Sequence, residues 1–376
     1  MRVLLPIFIV LLAAARPSAA CLWDYDTLAM ERQRFPEAHE LIAGYFVRHS
    51  DAYYRWRIED RTAKVEADRT PGDYDDIAVA QEKLGQHDAA METIREKIKR
   101  WPDEGEYESQ ANLGTFLIHA GRYEEGLEHI NAAIEINPDA HFGREIYQKL
   151  LVEYVIAARE GRPSSLPLSE DEYSGDGFFR FVLDQQQLSN ADSDDKASES
   201  QRAVHGVLGM MRFGNHDSPV LLEALGDLLG QGHYPLSDAK MLAARAYLRA
   251  SYEVDDPSVA EAYRLKAEHA MQLQSERSLE EIEASLKEEI ADGKALAEQI
   301  ATDEAQWAAA GLDLDEQFAA KYYDTPQLDP DRANWRPWTI DERILAAAVT
   351  FLGGLLLVIA TIVYLVVRWR RRSARA

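Results

Sequence analysis

From residue 23 to about residue 286, apolar side chains recur every three or four positions, and no convincing run alternates with the two-residue period of a half-buried strand. That spacing predicts helices throughout. They are punctuated by Pro36, "TPGD" at 70–73, "WPDEG" at 101–105, "NPD" at 137–139, "GRPSSLP" at 161–167 and "DSP" at 217–219. The expected fold class is therefore all-α. After "NPD", Phe142, Ile146 and Leu150 share one face of a new helix, with Asp139 placed to cap it. Later, Leu279, Ile282, Leu286 and Ile290 form a stripe on a charged segment, 275–312. This predicts an acidic helix that packs back on the array or self-associates, interrupted at Gly293.

Two helical pairs can be laid over each other. In 74–103 and 110–139, Ile77 matches Leu113, Ala78 matches Gly114, Gly85 matches Gly121, Ala90 matches Gly126, Ile94 matches Ile130 and Pro102 matches Pro138, at a constant offset of 36 residues. Each unit reads helix, glycine turn, helix, proline stop. This pattern resembles the tetratricopeptide repeat, a helix-turn-helix of about 34 residues. The second copy carries the large residue, small residue and turn glycine at Leu113, Gly114 and Gly121, then Tyr123, Ala133 and Pro138. The first has Tyr74, Ile77, Ala78, Gly85, Ala90 and Pro102, but Lys97 where a small residue is expected.

The resemblance implies an α-solenoid of hairpins over 21–161, with its clear repeats at 71–104 and 107–140. A polar linker is expected at 162–200 and degenerate hairpins at 201–274, including Ser218 as a helix cap and Pro219 in the first turn. It also implies a concave wall that receives an extended peptide. Asp75, Asp76, Val79 and Glu82 fall on that wall in the first copy, and Glu108, Asn112, Thr115 and His119 in the second. These acidic and polar positions would suit a partner of basic or amide character.

Both ends of the chain differ in kind from this middle. Residues 1–20 combine Arg2, a short apolar core and Ser18 and Ala20 before Cys21, which is the grammar of an export signal; Cys21 would open the mature chain and is a candidate for lipidation. Residues 344–367 contain no charge and would reach about 36 Å as a helix, enough to span a bilayer. Five arginines in 368–376 place the tail in the cytoplasm by the positive-inside bias. The expectation is a single-pass protein of the cytoplasmic membrane with an exported, periplasmic ectodomain and a membrane-proximal linker at 313–343.

The formal charge of −24 understates the acidity of the ectodomain, because seven of the 41 basic residues lie in the two ends and all 65 acidic ones lie between them. Nucleic acid is disfavoured as a partner. A lone cysteine allows no internal disulfide. There is no His-Glu-x-x-His, phosphate loop or Gly-x-Ser-x-Gly. No cofactor or metal is implied, and the leading expectation is a non-enzymatic, membrane-anchored module for protein or peptide binding. Two alternatives stay open. One is an enzyme using His141, Arg144 and Glu145, or His216 and Asp217, between the two helical clusters; the other is a structural protein that self-assembles through 275–310.

Overall fold

The computed structural model describes residue 24 and residues 34–138, 143–159, 166–169, 175–231, 239–272, 278–322 and 326–328. The chain divides into two units, and all of these residues belong to the larger, 1–234 with 239–329. The residues read as an export signal (1–20), Cys21, His141, the stretch expected to span the membrane (344–367) and the tail 368–376 lie outside the described residues. Among those described, every regular element is a helix, and no helix is long and apolar enough to cross a membrane.

Fourteen α-helices are described, α1 to α14. A short helix, α1 (Ala38–Ala43), precedes α2 (Asp51–Ala63). Two hairpins follow: α3 (Pro71–Lys83) with α4 (His87–Arg100), and α5 (Glu106–His119) with α6 (Tyr123–Ile136). Local chemistry starts and stops them. Thr70 and Asp73 form a reciprocal capping box ahead of α3, with Pro71 in the first turn. Gly85 and Gly121 turn the corners at φ +74° and +81°, a left-handed conformation natural to glycine.

Within the second hairpin, a Cβ on Gly114 would lie 2.9 Å from the Gly126 carbonyl oxygen, and one on Gly126 would lie 2.9 Å from that of Gly114. The two backbones meet at these glycines. The first hairpin places Ala78 and Ala90, both fully buried, at the matching positions. Met91, Ile94, Leu113, Phe116 and Leu117 fill the space beside them.

Beyond the hairpins, α7 (Arg144–Arg159) packs on α6, and α8 (Gly177–Gln185) and α9 (Ser193–Phe213) pack on α7. Then α10 (Pro219–Gly230), α11 (Ala239–Tyr252) and α12 (Pro257–Met271) stack in sequence. The 31-residue α13 (Leu279–Ala309) runs over α12 and α11 to α1 and α2, and α14 (Leu314–Tyr322) folds back on it. The last described helices thus lie on the first. Glu304 accepts from the His49 ring (2.6 Å) and the Ser50 amide (2.8 Å), and Asp315 accepts from Tyr53 (2.6 Å), Arg57 (2.9 Å) and Arg61 (2.7 Å).

Three expectations change. The stretch read as a polar linker, 162–200, holds α8, which buries Phe178, Phe179, Val182 and Leu183, and the first turns of α9. Its run of acids and serines favours a helix start, because the Asp192 carboxylate accepts from the amides of Asp194 and Asp195. The stretch read as a membrane-proximal linker, 313–343, begins with α14, whose Leu314, Phe318 and Tyr322 are buried. Gly293 does not interrupt α13. A Cβ there would lie 2.7 Å from the Ala43 carbonyl oxygen and 2.8 Å from that of Gly44, so it is where α13 crosses the α1 turn. The stripe Ile282, Leu286 and Ile290 is buried within the chain.

Candidate functional site

The wall residues face inward, but the interior is closed over them. Asp75, Asp76, Val79, Glu82, Asn112 and Thr115 are all buried, and Glu108 is half-buried. Their polar atoms are joined to neighbouring helices. Lys97 donates to Asp75 at 2.6 Å, and Asn112 to Asp75 at 3.2 Å. Gln148 of α7 donates to Thr115 at 3.0 Å, the His119 ring meets Glu82 at 2.6 Å, and Arg61 of α2 donates to Asp76 at 2.9 Å. Burial lifts the Asp75 carboxyl to about 7, despite the lysine beside it. Burial alone would also raise Glu82, but its hydrogen bonds with the His119 and His87 rings hold it below the ordinary carboxylate range.

Lys97, the departure from the repeat pattern, is therefore the counter-ion of a wall carboxylate. The resemblance to the repeat placed these residues on a common inner face. It carried no sign that the neighbouring helices would bind them.

Arg144 and Glu145 on α7 are also buried, and the Arg144 guanidinium lies 5.0 Å from the centre of the Phe213 ring. His216 and Asp217 sit in the turn between α9 and α10, as expected for a turn and helix start. His216 alone of these four lines the cavity described next.

That cavity, about 230 Å³, lies where three parts of the fold meet. The α1–α2 connection contributes Phe46, Val47, Arg48 and His49, α3 contributes Val79 and Lys83, and the α9–α10 turn contributes Arg212, Phe213, Gly214, Asn215 and His216. Asp24, Asp51 and Tyr54 complete the lining. Lys83 reaches across to the end of α9, donating to the carbonyls of Phe213 (2.6 Å) and Gly214 (2.9 Å), where unsatisfied helix carbonyls attract a cation. The His216 ring packs edge-on against Phe46 at 5.3 Å.

In a chain of net charge −24, the cavity gathers Arg48, Lys83 and Arg212. Its two carboxylates are already engaged, Asp24 by Arg57 (3.2 Å) and Asp51 by Arg55 (2.9 Å). Burial, with Arg34 nearby, brings the Arg212 guanidinium down to about 10. Burial, reinforced by Arg48, Arg249 and Lys83, pushes His216 well below its usual range, which leaves the ring neutral at neutral pH.

Of these residues, sequence reasoning named Val79 and His216 and missed Arg48 and Arg212. A signal did exist for Arg212: "GVLGMMRFG" places one arginine inside a helical run that is apolar on all sides, where a charge needs a reason. Among the described residues, no cluster of three or more His, Cys, Asp or Glu is arranged to hold a metal ion. No protein-family model matches this chain, and no characterised protein or solved structure matches it.

Proposed function

We propose that this chain is a non-enzymatic binding protein: a tetratricopeptide-like array, exported and held at the membrane by residues 344–367, that recognises a protein or peptide partner at the cavity beside the α9–α10 turn. One observation carries the choice of site. The inner wall that such arrays offer to peptides is buried and hydrogen-bonded, whereas the cavity remains open with polar groups converging on it. The tetratricopeptide-like reading is supported by two hairpins at a 36-residue offset with left-handed glycines at equivalent corners and small residues at equivalent crossings.

Position-specific cross-linking in cells producing the full chain tests this reading. A photoreactive residue in place of Asn215, exposed on the cavity rim, is expected to give a partner adduct. The same residue in place of Glu128, exposed on α6, is expected to give none. Equal adducts at both positions, or none at 215, would count against the cavity. Removing residues 344–376 should release a folded chain from the membrane fraction, and retention there would refute the anchor.

A further inference from the structure

Residues 44–50, which join α1 to α2, serve two structures at once. Phe46, Val47, Arg48 and His49 line the cavity. The same stretch also receives the C-terminal hairpin α13–α14. Val47 packs with Ile300, Phe318 and Tyr322 in one buried cluster, and the His49 ring lies 3.9 Å from that of Phe318. Glu304 of α13 accepts from the His49 ring and the Ser50 amide, at 2.6 and 2.8 Å.

Neither contact leaves slack. Gly44 turns at φ +75° and meets both sides: a Cβ added to it would lie 2.6 Å from His216 Nε2, and a Cβ added to Gly293 of α13 would lie 2.8 Å from the Gly44 carbonyl oxygen. That oxygen also accepts from Arg48, a cavity residue, at 2.7 Å. The His216 ring in turn stands edge-on to Phe46 at 5.3 Å. Groups packed this closely shift together, because a dense interior has no room for one to adjust without the next. A displacement of α13 therefore reaches the cavity wall through a single stretch of backbone.

The hairpin's tip is suited to release. Helix α14 has nine residues and buries only Leu314, Phe318 and Tyr322. It meets the α1–α2 connection through Phe318 and α2 through Asp315, which accepts from Tyr53, Arg57 and Arg61. Units with few buried apolar contacts open locally, at less cost than global unfolding. We propose that occupancy of the cavity and docking of α13–α14 are coupled through residues 44–50, each strengthening the other, so that undocking α14 weakens the hold on the partner. This rests on the reading of the cavity as the recognition point. Such a coupling is reciprocal, so it can be tested from either end.

Hydrogen exchange of the full chain in detergent, read by mass spectrometry, supplies both tests. Phe318→Ala removes a ring that touches His49 but does not line the cavity. It should speed exchange roughly fivefold in 44–50 and also across the cavity in 213–217, with α6 unchanged. His216→Ala removes a ring on the cavity side, and should speed exchange of 314–322 roughly threefold. The double variant should speed 44–50 by less than the product of the single effects, because either change alone already frees the connection. If Phe318→Ala does not fold, Asp315→Asn should give the same pattern at smaller size.

Faster exchange that stops at 44–50 in Phe318→Ala, no change at 314–322 in His216→Ala, or a double variant equal to the product overturns the coupling. An equal increase in α6 is general loosening and overturns it as well. Cross-linking in cells joins the device to recognition: with the photoreactive residue at 215, Phe318→Ala should cut the partner adduct roughly threefold at equal protein level. An adduct unchanged by Phe318→Ala refutes the coupling and leaves the recognition point standing. No adduct at 215 in the wild type removes the reading of the cavity instead, and the exchange pattern then decides whether the hairpin and the cavity wall are linked.

Discussion

The paired hairpins α3–α6 and the later stack α10–α12 each bring helices close around a buried lysine, but they do so with different residues. In the hairpins the close approach is small residue against small residue, Ala78 with Ala90 and Gly114 with Gly126, and the buried Lys97 has one carboxylate, Asp75. In the later stack a glycine receives an aromatic ring, and a Cβ on Gly226 would lie 2.4 Å from the Tyr247 ring. There the buried Lys266 lies between Glu223 (2.7 Å) and Asp227 (3.1 Å). Those two carboxylates also take hydrogen bonds from Tyr263, Tyr247 and the amides of Leu168 and Phe178. Small-on-small contact can repeat indefinitely, while a ring in a notch with a charge network fixes one arrangement.

The largest expected effect comes from cutting that network. Glu223→Ala leaves the Tyr263 hydroxyl and the Leu168 amide without their acceptor and Lys266 with Asp227 as its remaining carboxylate, inside a cluster with no exposed side chain. It should cost about 5 kcal/mol or unfold α10–α12 outright. Urea unfolding followed by circular dichroism measures it. A loss below about 2 kcal/mol would mean the network is no more than a peripheral contact.

The single-carboxylate pair behaves differently with pH. Burial lifts Asp75 from 3.8 to about 7 in the folded chain, so the native state holds a proton there that the unfolded chain releases near pH 4. Its contribution to stability is complete below pH 4 and is lost as pH rises through 7, by at most about 4 kcal/mol. The difference in unfolding free energy between the wild type and Asp75→Asn should fall across that window. A flat difference from pH 4 to 8 would show that Lys97 keeps the carboxylate ionised throughout.

The two kinds of close approach also predict unequal costs for one methyl group. Gly226→Ala drives a Cβ into the Tyr247 ring, which is buried and held by its hydroxyl to Asp227 at 2.7 Å. It should cost about 2–3 kcal/mol. Gly114→Ala presses on Ile130 and the Gly126 carbonyl, yet the first hairpin accommodates alanine at both matching positions, so about 1–2 kcal/mol is expected. The reverse order, measured as urea midpoints, would break the distinction between yielding and fixed crossings.

The same contrast accounts for what was legible in the sequence. The hairpins could be read because their crossings recur as small residues at a fixed offset, and their corners as glycines. The Tyr247 notch does not recur and left no pattern. The helix α8 was hidden because "FFRFVL" is short and flanked by polar runs that resemble a linker, and Gly293 was read as a break because its neighbour across the crossing is distant in sequence. For the wall, the resemblance to the repeat indicated which residues face inward; the Asp75–Lys97 and Thr115–Gln148 pairs depend on helix neighbours that neither the resemblance nor periodicity identifies.

The smallest effect tests the equivalence of the two hairpins themselves. Gly85 and Gly121 turn at nearly the same φ, +74° and +81°, and a Cβ added to either would meet nothing within 4 Å. Contact therefore contributes no penalty, and the cost of alanine is that of holding a side chain in the left-handed region, about 1 kcal/mol at each corner. Because that cost is local, Gly85→Ala and Gly121→Ala should agree within about 0.5 kcal/mol, and the double variant should show their sum. Unequal values would mean that one corner carries strain the other lacks, and the hairpins would then share a pattern without sharing a mechanical role. Substitution by asparagine sharpens the test, since asparagine tolerates the left-handed region better than alanine and should recover part of the loss at both corners alike.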